Sequence, residues 1–217
     1  MINLAKIFFI ILFVSVANNS NATAYNDKGG FNNEGKKYIS IRAEYVDSFN
    51  YDADYSILPD TPMTFNYDNG YGFGVALGYY VDDNVRIEGE LTYRPNETKS
   101  LTIGGTEFPQ FDEKMKLWNW MANAYYTVPL NKYVSPYIGG GFGLSYDSAY
   151  NGEHAFAYQA MTGLDFDIDY SSAISLGYRY FGTTEFEYSG TDDLVAGGRL
   201  TYNVKQHIYE VSYRLKF

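Results

Sequence analysis

From Tyr25 onward the chain alternates apolar and polar residues with a period of two, and no window sustains the 3.6-residue period of an amphipathic helix. Eight segments carry the alternation: Lys37 to Val46, Tyr71 to Val81, Val85 to Arg94, Lys116 to Tyr126, Tyr133 to Tyr146, Phe156 to Phe166, Ile174 to Phe181 and Leu200 to Phe217. In the first, Ile39, Ile41, Ala43 and Tyr45 share one face and Ser40, Arg42 and Glu44 the other. In the last, Tyr209, Val211, Tyr213, Leu215 and Phe217 oppose Glu210, Ser212, Arg214 and Lys216. Each segment is expected to be a strand with one apolar and one polar face.

The connections alternate in length. Residues 82–84, 127–132 and 167–173 are short turns, whereas 47–70, 95–115, 147–155 and 182–199 are longer, polar loops. Strands of about ten residues at ~3.3 Å each, tilted by ~40°, cover roughly 25 Å of membrane normal. The expected fold is therefore all-β: an eight-stranded antiparallel up-and-down transmembrane β-barrel, with tight turns at one end and long loops at the other.

Alternation alone does not separate a membrane barrel from a soluble one, which has the opposite polarity. Three features do. Many strand glycines lie on the polar face, where they make room in a narrow lumen for long side chains from facing strands. Five of the six arginines, Arg42, Arg86, Arg94, Arg179 and Arg214, fall on that face together with Glu44, Glu88, Glu90 and Glu210. Facing lipid, each arginine would cost about 2–4 kcal/mol near the midplane. Finally, Trp118, Tyr71, Tyr93, Tyr146 and Phe156 gather at the long-loop ends of the apolar face, and Tyr79, Tyr126, Phe166 and Phe217 at the short-turn ends, as two aromatic girdles. The nine charged residues are thus expected to form a structural network in the lumen. Arg42 and Glu44 are expected to meet Glu210 and Arg214 where the first strand closes on the last.

Composition narrows the class further. Aromatic residues make up 19% of the 217-residue chain, with 21 glycines and a mean hydropathy of −0.31, which fits short strands and not spanning helices. A net charge of −10 argues against nucleic-acid binding and favours cationic partners. The absence of cysteine excludes disulfides, thiolate metal sites and a lipidated N-terminal cysteine. At the N-terminus, Lys6 precedes an apolar run from Ile7 to Ala17, and Ala22-Thr23-Ala24 supplies a cleavage pattern. Residues 1–24 are expected to be a signal peptide cleaved near Ala24, residues 25–36 a short periplasmic segment, and residues 37–217 the barrel.

The alternating strands, the segments MANAYYTVPL, SPYIGGGFG, FAYQAMTGL and LGYRYF, and the terminal YEVSYRLKF resemble the opacity-type, surface-antigen class of small Gram-negative outer-membrane β-barrels. The resemblance covers essentially all of the chain after residue 24. It implies placement in the bacterial outer membrane at the cell surface, a periplasmic N-terminus and exposed loops. It also implies an assembly signal read by the barrel-assembly machinery in Tyr209, Val211, Tyr213, Leu215 and Phe217. Members act as surface antigens, adhesins or small porins. Outer-membrane lipid, lipopolysaccharide where present, and a host or extracellular ligand at the loops are the partners that follow. The loops are shorter than in the larger antigens of the class, and no peptidoglycan-binding domain is expected after Phe217.

Candidate chemistry is sparse, and no enzyme activity, cofactor or metal is expected. Asp165, Asp167 and Asp169 mimic the start of a calcium loop, but Tyr170 and Leu176 occupy the positions where Gly and Glu are required. Asp52, Asp54, Asp60 and Asp68 have no basic partner between residues 47 and 70, so a solvated acidic loop is expected. His154 falls in a loop and His207 near the outer end of the last strand, without a neighbouring serine nucleophile. Gly139-Gly140-Gly141 precedes no helix and is not a phosphate cradle. Trp118 and Trp120 are expected to face lipid.

Overall fold

A strand with one apolar and one charged face satisfies both only if the sheet closes on itself, and this sheet does. The computed structural model describes residues 32–47, 49–56, 61–109, 114–148, 153–189 and 199–217. The expected signal peptide and the first part of the N-terminal segment, residues 25–31, lie outside the described residues. The strands are β1 (Lys37–Val46), β2 (Phe49–Tyr55), β3 (Met63–Tyr67), β4 (Gly70–Tyr80), β5 (Val85–Ile103), β6 (Thr106–Pro109), β7 (Lys114–Thr127), β8 (Val134–Asp147), β9 (Glu153–Asp167), β10 (Ser172–Thr183), β11 (Phe186–Ser189), β12 (Arg199–Tyr202) and β13 (Lys205–Lys216). Eight of them, β1, β4, β5, β7, β8, β9, β10 and β13, pair antiparallel in that cyclic order, and β1 closes on β13 from Tyr38↔Lys216 to Val46↔Ile208.

Side-chain directions follow the alternation. Along β1 and β13 alternate residues are buried inside and exposed outside, with Ile41, Tyr209 and Val211 pointing out. The outer face carries both expected girdles, and Trp118 and Trp120 point outward.

Two expectations about the loops are corrected. Residues 47–70 and 95–115 are not mainly irregular: they hold β2, β3, the upper part of β5 and β6. These form, with β11 and β12, a second sheet in the order β11-β12-β2-β3-β5-β6 that rises above the barrel. The last alternating segment is likewise two strands. β12 leaves the barrel wall to pair with β2 and β11, and β13 begins at Lys205. The nineteen residues of β5 span about 60 Å at ~3.3 Å each, far more than a tilted membrane crossing requires.

The upper sheet keeps the same interior but changes its chemistry. A register shift at Asn66/Tyr67 against β5 places Arg94 and Asn96 inside below it and Leu101 inside above it. Leu101, Phe65, Tyr67, Phe186 and Tyr202 join Val46, Leu117, Phe181 and Ile208 in one apolar core over the mouth of the barrel. The β5–β6 hairpin turns at Gly104 and Gly105, both at positive φ (56° and 84°), as a tight two-residue connection with Ile103 opposite Thr106 requires.

At the opposite end the three short turns share one construction. Asp82 accepts from the amides of Asn84 and Val85, Asn131 from Tyr133 and Val134, and Asp169 from Ser171 and Ser172, all at 2.7–2.9 Å. In each, the backbone is closed by a 2.9–3.0 Å bond, Val81 to Val85, Leu130 to Val134 and Ile168 to Ser172. The carboxylate so caged in Asp169 titrates at about 2, held down by its bonds to Ser172 and Ser171. Residues 32–36 pack beneath this end. Lys36 donates to the Tyr170 carbonyl at 3.0 Å, and its own pKa falls to about 8 through burial and the neighbouring Lys216.

Because the Asp169 pKa is depressed, its contribution is complete above the ordinary carboxylate pKa of about 3.9 and is lost as pH falls through about 2. Asp169→Ala is expected to lower the urea midpoint of the folded barrel at pH 7, and the gap from wild type to close between pH 4 and 2. Equal midpoints at pH 7 would mean that the backbone bonds alone hold the turn.

Candidate functional site

Eight strands enclose space for side chains and little else. Five arginines and five acids fill that space: Arg42, Arg86, Arg94, Arg179 and Arg214 against Glu44, Glu88, Glu90, Glu210 and Asp165, all buried. They are stacked in tiers along the barrel axis.

In the tier nearest the short turns, Asp165 is clamped between two arginines, Arg214 and Arg86, at 2.7 Å each. Ser175 donates to the same carboxylate at 2.5 Å, while Arg214 also reaches the Tyr80 hydroxyl at 2.6 Å. The Arg86 guanidinium lies over the Tyr125 ring at 4.2 Å.

The middle tier is a larger network. Arg42 pairs with Glu90 and, at 3.2 Å, with Glu88, and lies 3.6 Å from Glu210. Arg179 bridges Glu90 at 2.5 Å and Glu210 at 2.8 Å, with Gln159 accepting at 2.8 Å. Glu88 accepts further bonds from Tyr38 (2.9 Å), Tyr125 (2.7 Å) and Asn123 (3.1 Å). Above it Arg94 grips Glu44 through two bonds, 2.7 and 3.1 Å, and covers the Phe181 ring at 4.6 Å where the charged lumen gives way to the apolar core.

The inward glycines are the spaces these side chains occupy. A Cβ on Gly72 would stand 2.6 Å from a Glu44 oxygen, and one on Gly139 2.6 Å from the Tyr125 ring.

The nine lumen residues chosen from sequence therefore lie together, but one of the two expected seam pairs, Glu44 with Arg214, does not form. Arg42 does approach Glu210, yet its closer partners are on β5; Glu44 goes to Arg94, and Arg214 to Asp165. The tilt and stagger of barrel strands bring together residues from non-adjacent strands, so neighbours in the register are not necessarily partners. The fifth acid, Asp165, which in sequence lies on the polar face of the sixth segment and opens the calcium mimic, joins the lumen network. Its companions go elsewhere, Asp167 to Lys216 at 2.6 Å and Asp169 to its turn. Its position on the polar face of the sixth segment, opposite a surplus arginine, was the available signal.

Of the four loop acids, Asp60 lies outside the described residues, Asp52 and Asp54 are on β2, and Asp68 lies 3.8 Å from Lys99. His207 faces outward, its Nδ1 2.6 Å from the Tyr178 hydroxyl, and His154 stacks on Tyr146 with centroids 4.9 Å apart. Gly139, Gly140 and Gly141 lie within β8. Tyr209, Val211, Tyr213, Leu215 and Phe217 line the outer face of β13 and its end.

A closed eight-stranded barrel with a charged interior, an apolar exterior and aromatic rims defines a small outer-membrane barrel. Residues 9–217 match the family described as outer membrane protein beta-barrel domain, and the chain belongs to that family. The outer membrane protein OprG from Pseudomonas aeruginosa superposes with a TM-score of 0.64 at 15% identity, over 88% of this chain and 99% of that one. Neisserial surface protein A gives a TM-score of 0.51 at 18% identity, over 85% and 100%. At these identities the likeness is one of fold. An uncharacterized protein of Brucella suis biovar 1 (strain 1330) is 26% identical across 60% of this chain and 59% of its own length, so the chain spans about three-fifths of that relative.

Removing one partner from a buried ion network strands the other. Arg179→Met leaves Glu90 and Glu210 short of a cation and is expected to cost about 3–5 kcal/mol in urea unfolding from liposomes. Adding Glu90→Gln is expected to restore part of that loss. A double variant no more stable than Arg179→Met would show that the two groups are not coupled.

Proposed function

We propose that this protein is a surface-display barrel: a rigid membrane anchor whose upper sheet meets partners outside the cell. In this reading the three short turns face the periplasm and the upper sheet faces outward. One observation carries it. The connections 47–70, 95–115, 147–155 and 182–199 hold fifteen acidic residues and three basic ones, more than the net charge of the whole chain. The lumen charges, by contrast, are balanced five against five. Of the acids in these connections, Asp54, Glu107 and Glu187 are exposed on the upper sheet, a surface suited to meet a cationic partner such as a basic protein segment. Such an adhesin-like or antigenic role needs no open channel, and the packed tiers and apolar core above them favour a closed lumen.

Two measurements test this. Proteoliposomes bearing the protein are expected to bind a fluorescent lysine-rich peptide with strong salt dependence. Asp52→Asn, Asp54→Asn and Glu107→Gln together are expected to weaken that binding, and unchanged binding in the triple variant would refute the acidic-surface role. In planar bilayers, wild type and Arg86→Leu are both expected to be silent. Reproducible conductance steps altered by the variant would replace the reading with that of a narrow porin.

A further inference from the structure

The short-turn end of the barrel is not left open. The chain enters β1 through a tight reversal at residues 33–36. There the Lys36 amide donates to the Asn33 carbonyl at 3.0 Å, and Gly35 takes φ 80°, the left-handed conformation that the third position of a type II turn requires. The Gly35 amide and the Lys36 carbonyl bond the backbone of Tyr80 at 3.0 and 2.9 Å and fix this reversal to the end of β4. From that point it reaches both sides of the opening. On one side the Asn33 amide donates to Asp83, in the β4–β5 turn, at 2.9 Å. On the other the Lys36 ammonium donates to the Tyr170 carbonyl, in the β9–β10 turn, at 3.0 Å and lies 3.2 Å from the centre of the Tyr170 ring. The two turns are opposite in the barrel: β7 and β8 separate them one way round, β1 and β13 the other.

We propose that residues 32–36 are an autoinhibitory stopper: they seal the short-turn end of the lumen and keep water and ions from the charged tier above. Burial gives the segment two sides. Asn33 and Lys36 are each 8% exposed, whereas Glu34 between them faces solvent. The buried side chains meet what the lumen presents. Lys216, the next inward residue below Arg214 on β13, donates to Asn33 Oδ1 at 3.2 Å and to Asp167 at 2.6 Å. The Lys36 and Lys216 ammonium groups are close enough to repel, and Asp167 and Asp83 supply the opposing charge. Directly above lie the Tyr38 and Tyr80 rings, 5.3 Å apart, with the Tyr80 hydroxyl bound to Arg214. The clamp of Asp165 between Arg214 and Arg86 is thus dry, where an ion pair is far stronger than in water. The two ends of the lumen are closed by different means. An apolar core covers the upper end, but Asn32-Asn33-Glu34-Gly35-Lys36 carries no apolar side chain, so its hold is a few polar contacts. An element held in this way opens at the low end of the free-energy scale, by swinging on β1 at Lys37.

The stopper does not depend on the cationic-partner role of the upper sheet. Because the chain has no cysteine, one introduced at Ser135, a buried lumen position opposite Asp165 in the register, reports access from the short-turn end. The full refolded protein is placed in phosphatidylcholine nanodiscs and labelled with a small cationic methanethiosulfonate. Ser135→Cys is expected to react slowly, and about tenfold faster when Asn33→Ala and Lys36→Ala are added, the effect of losing a hydrogen bond to a charged group. Lys36→Met alone is expected to accelerate labelling in the same direction. Leu130→Cys, exposed on a neighbouring turn, is expected to react rapidly in every background, and Ser145→Cys, buried toward the other end of β8, slowly in every background. Labelling of Ser135→Cys as fast as Leu130→Cys without the added substitutions, or at a rate they leave unchanged, would overturn the stopper. An equal acceleration at Ser145→Cys would overturn it too, since the whole barrel would then have loosened. Gel mobility of unheated and boiled samples establishes that each variant is folded.

Discussion

Space in the lumen is the constraint on which the rest of the structure depends. Eight strands leave no room for a water column, so every inward charge must find its counter-charge in protein. Five arginines and five acids meet this requirement across a barrel whose wall is made of glycine where the long side chains need clearance. Such a network is not intrinsically more stable than an apolar filling of the same volume. What it contributes here is specification. Slipping one strand by one residue would turn its inward arginines to lipid at about 2–4 kcal/mol each near the midplane, so the charges fix both the register and the face.

The same constraint explains why the interior changes character along its axis. Within the membrane the exterior is hydrocarbon, and a polar interior distinguishes the two faces of each strand. Above the membrane the exterior is water, and the sheet reverts to the logic of a soluble protein, with Phe65, Leu101, Phe186 and Tyr202 inside and Asp54, Glu107 and Glu187 outside. The changeover lies near Arg94. Its guanidinium binds Glu44 on one side and covers the ring of Phe181 on the other, serving both environments. The irregularity in β3–β5 pairing shifts which residues face inward just above it.

The barrel strands, their faces and the five arginines were legible in sequence because a period of two survives any tilt or stagger. The partners of those arginines were not, because contacts across a lumen depend on how far each strand is displaced along the axis. Arg42 meets Glu88 and Glu90 on β5, a strand with which β1 makes no ladder. The upper sheet was hidden for another reason: its acids read as solvated loop. Yet Phe49, Tyr51, Ala53 and Tyr55 alternate with Asn50, Asp52 and Asp54, and Gly104-Gly105 between two short alternating runs is a hairpin signal. Spacing would also have revealed the turns, each an aliphatic residue followed by Asp or Asn at the position that accepts two amides.

For a display role, the continuity of the strands matters more than the length of the loops. An irregular loop must be ordered when a partner binds, and that ordering subtracts from affinity. Here β5 runs unbroken from the membrane into the upper sheet, β2 begins at Phe49 soon after β1 ends at Val46, and β12 ties the last connection to the first. The Tyr202 hydroxyl bonds Asp147 at 2.9 Å and fastens that sheet to the rim of β8. A surface held in this way presents its acidic side chains on a fixed backbone, with the barrel as its foundation. Among the described residues its two outer strands, β6 and β11, each carry a ladder on one side only, so the sheet is held to the barrel through β5, β2 and β12.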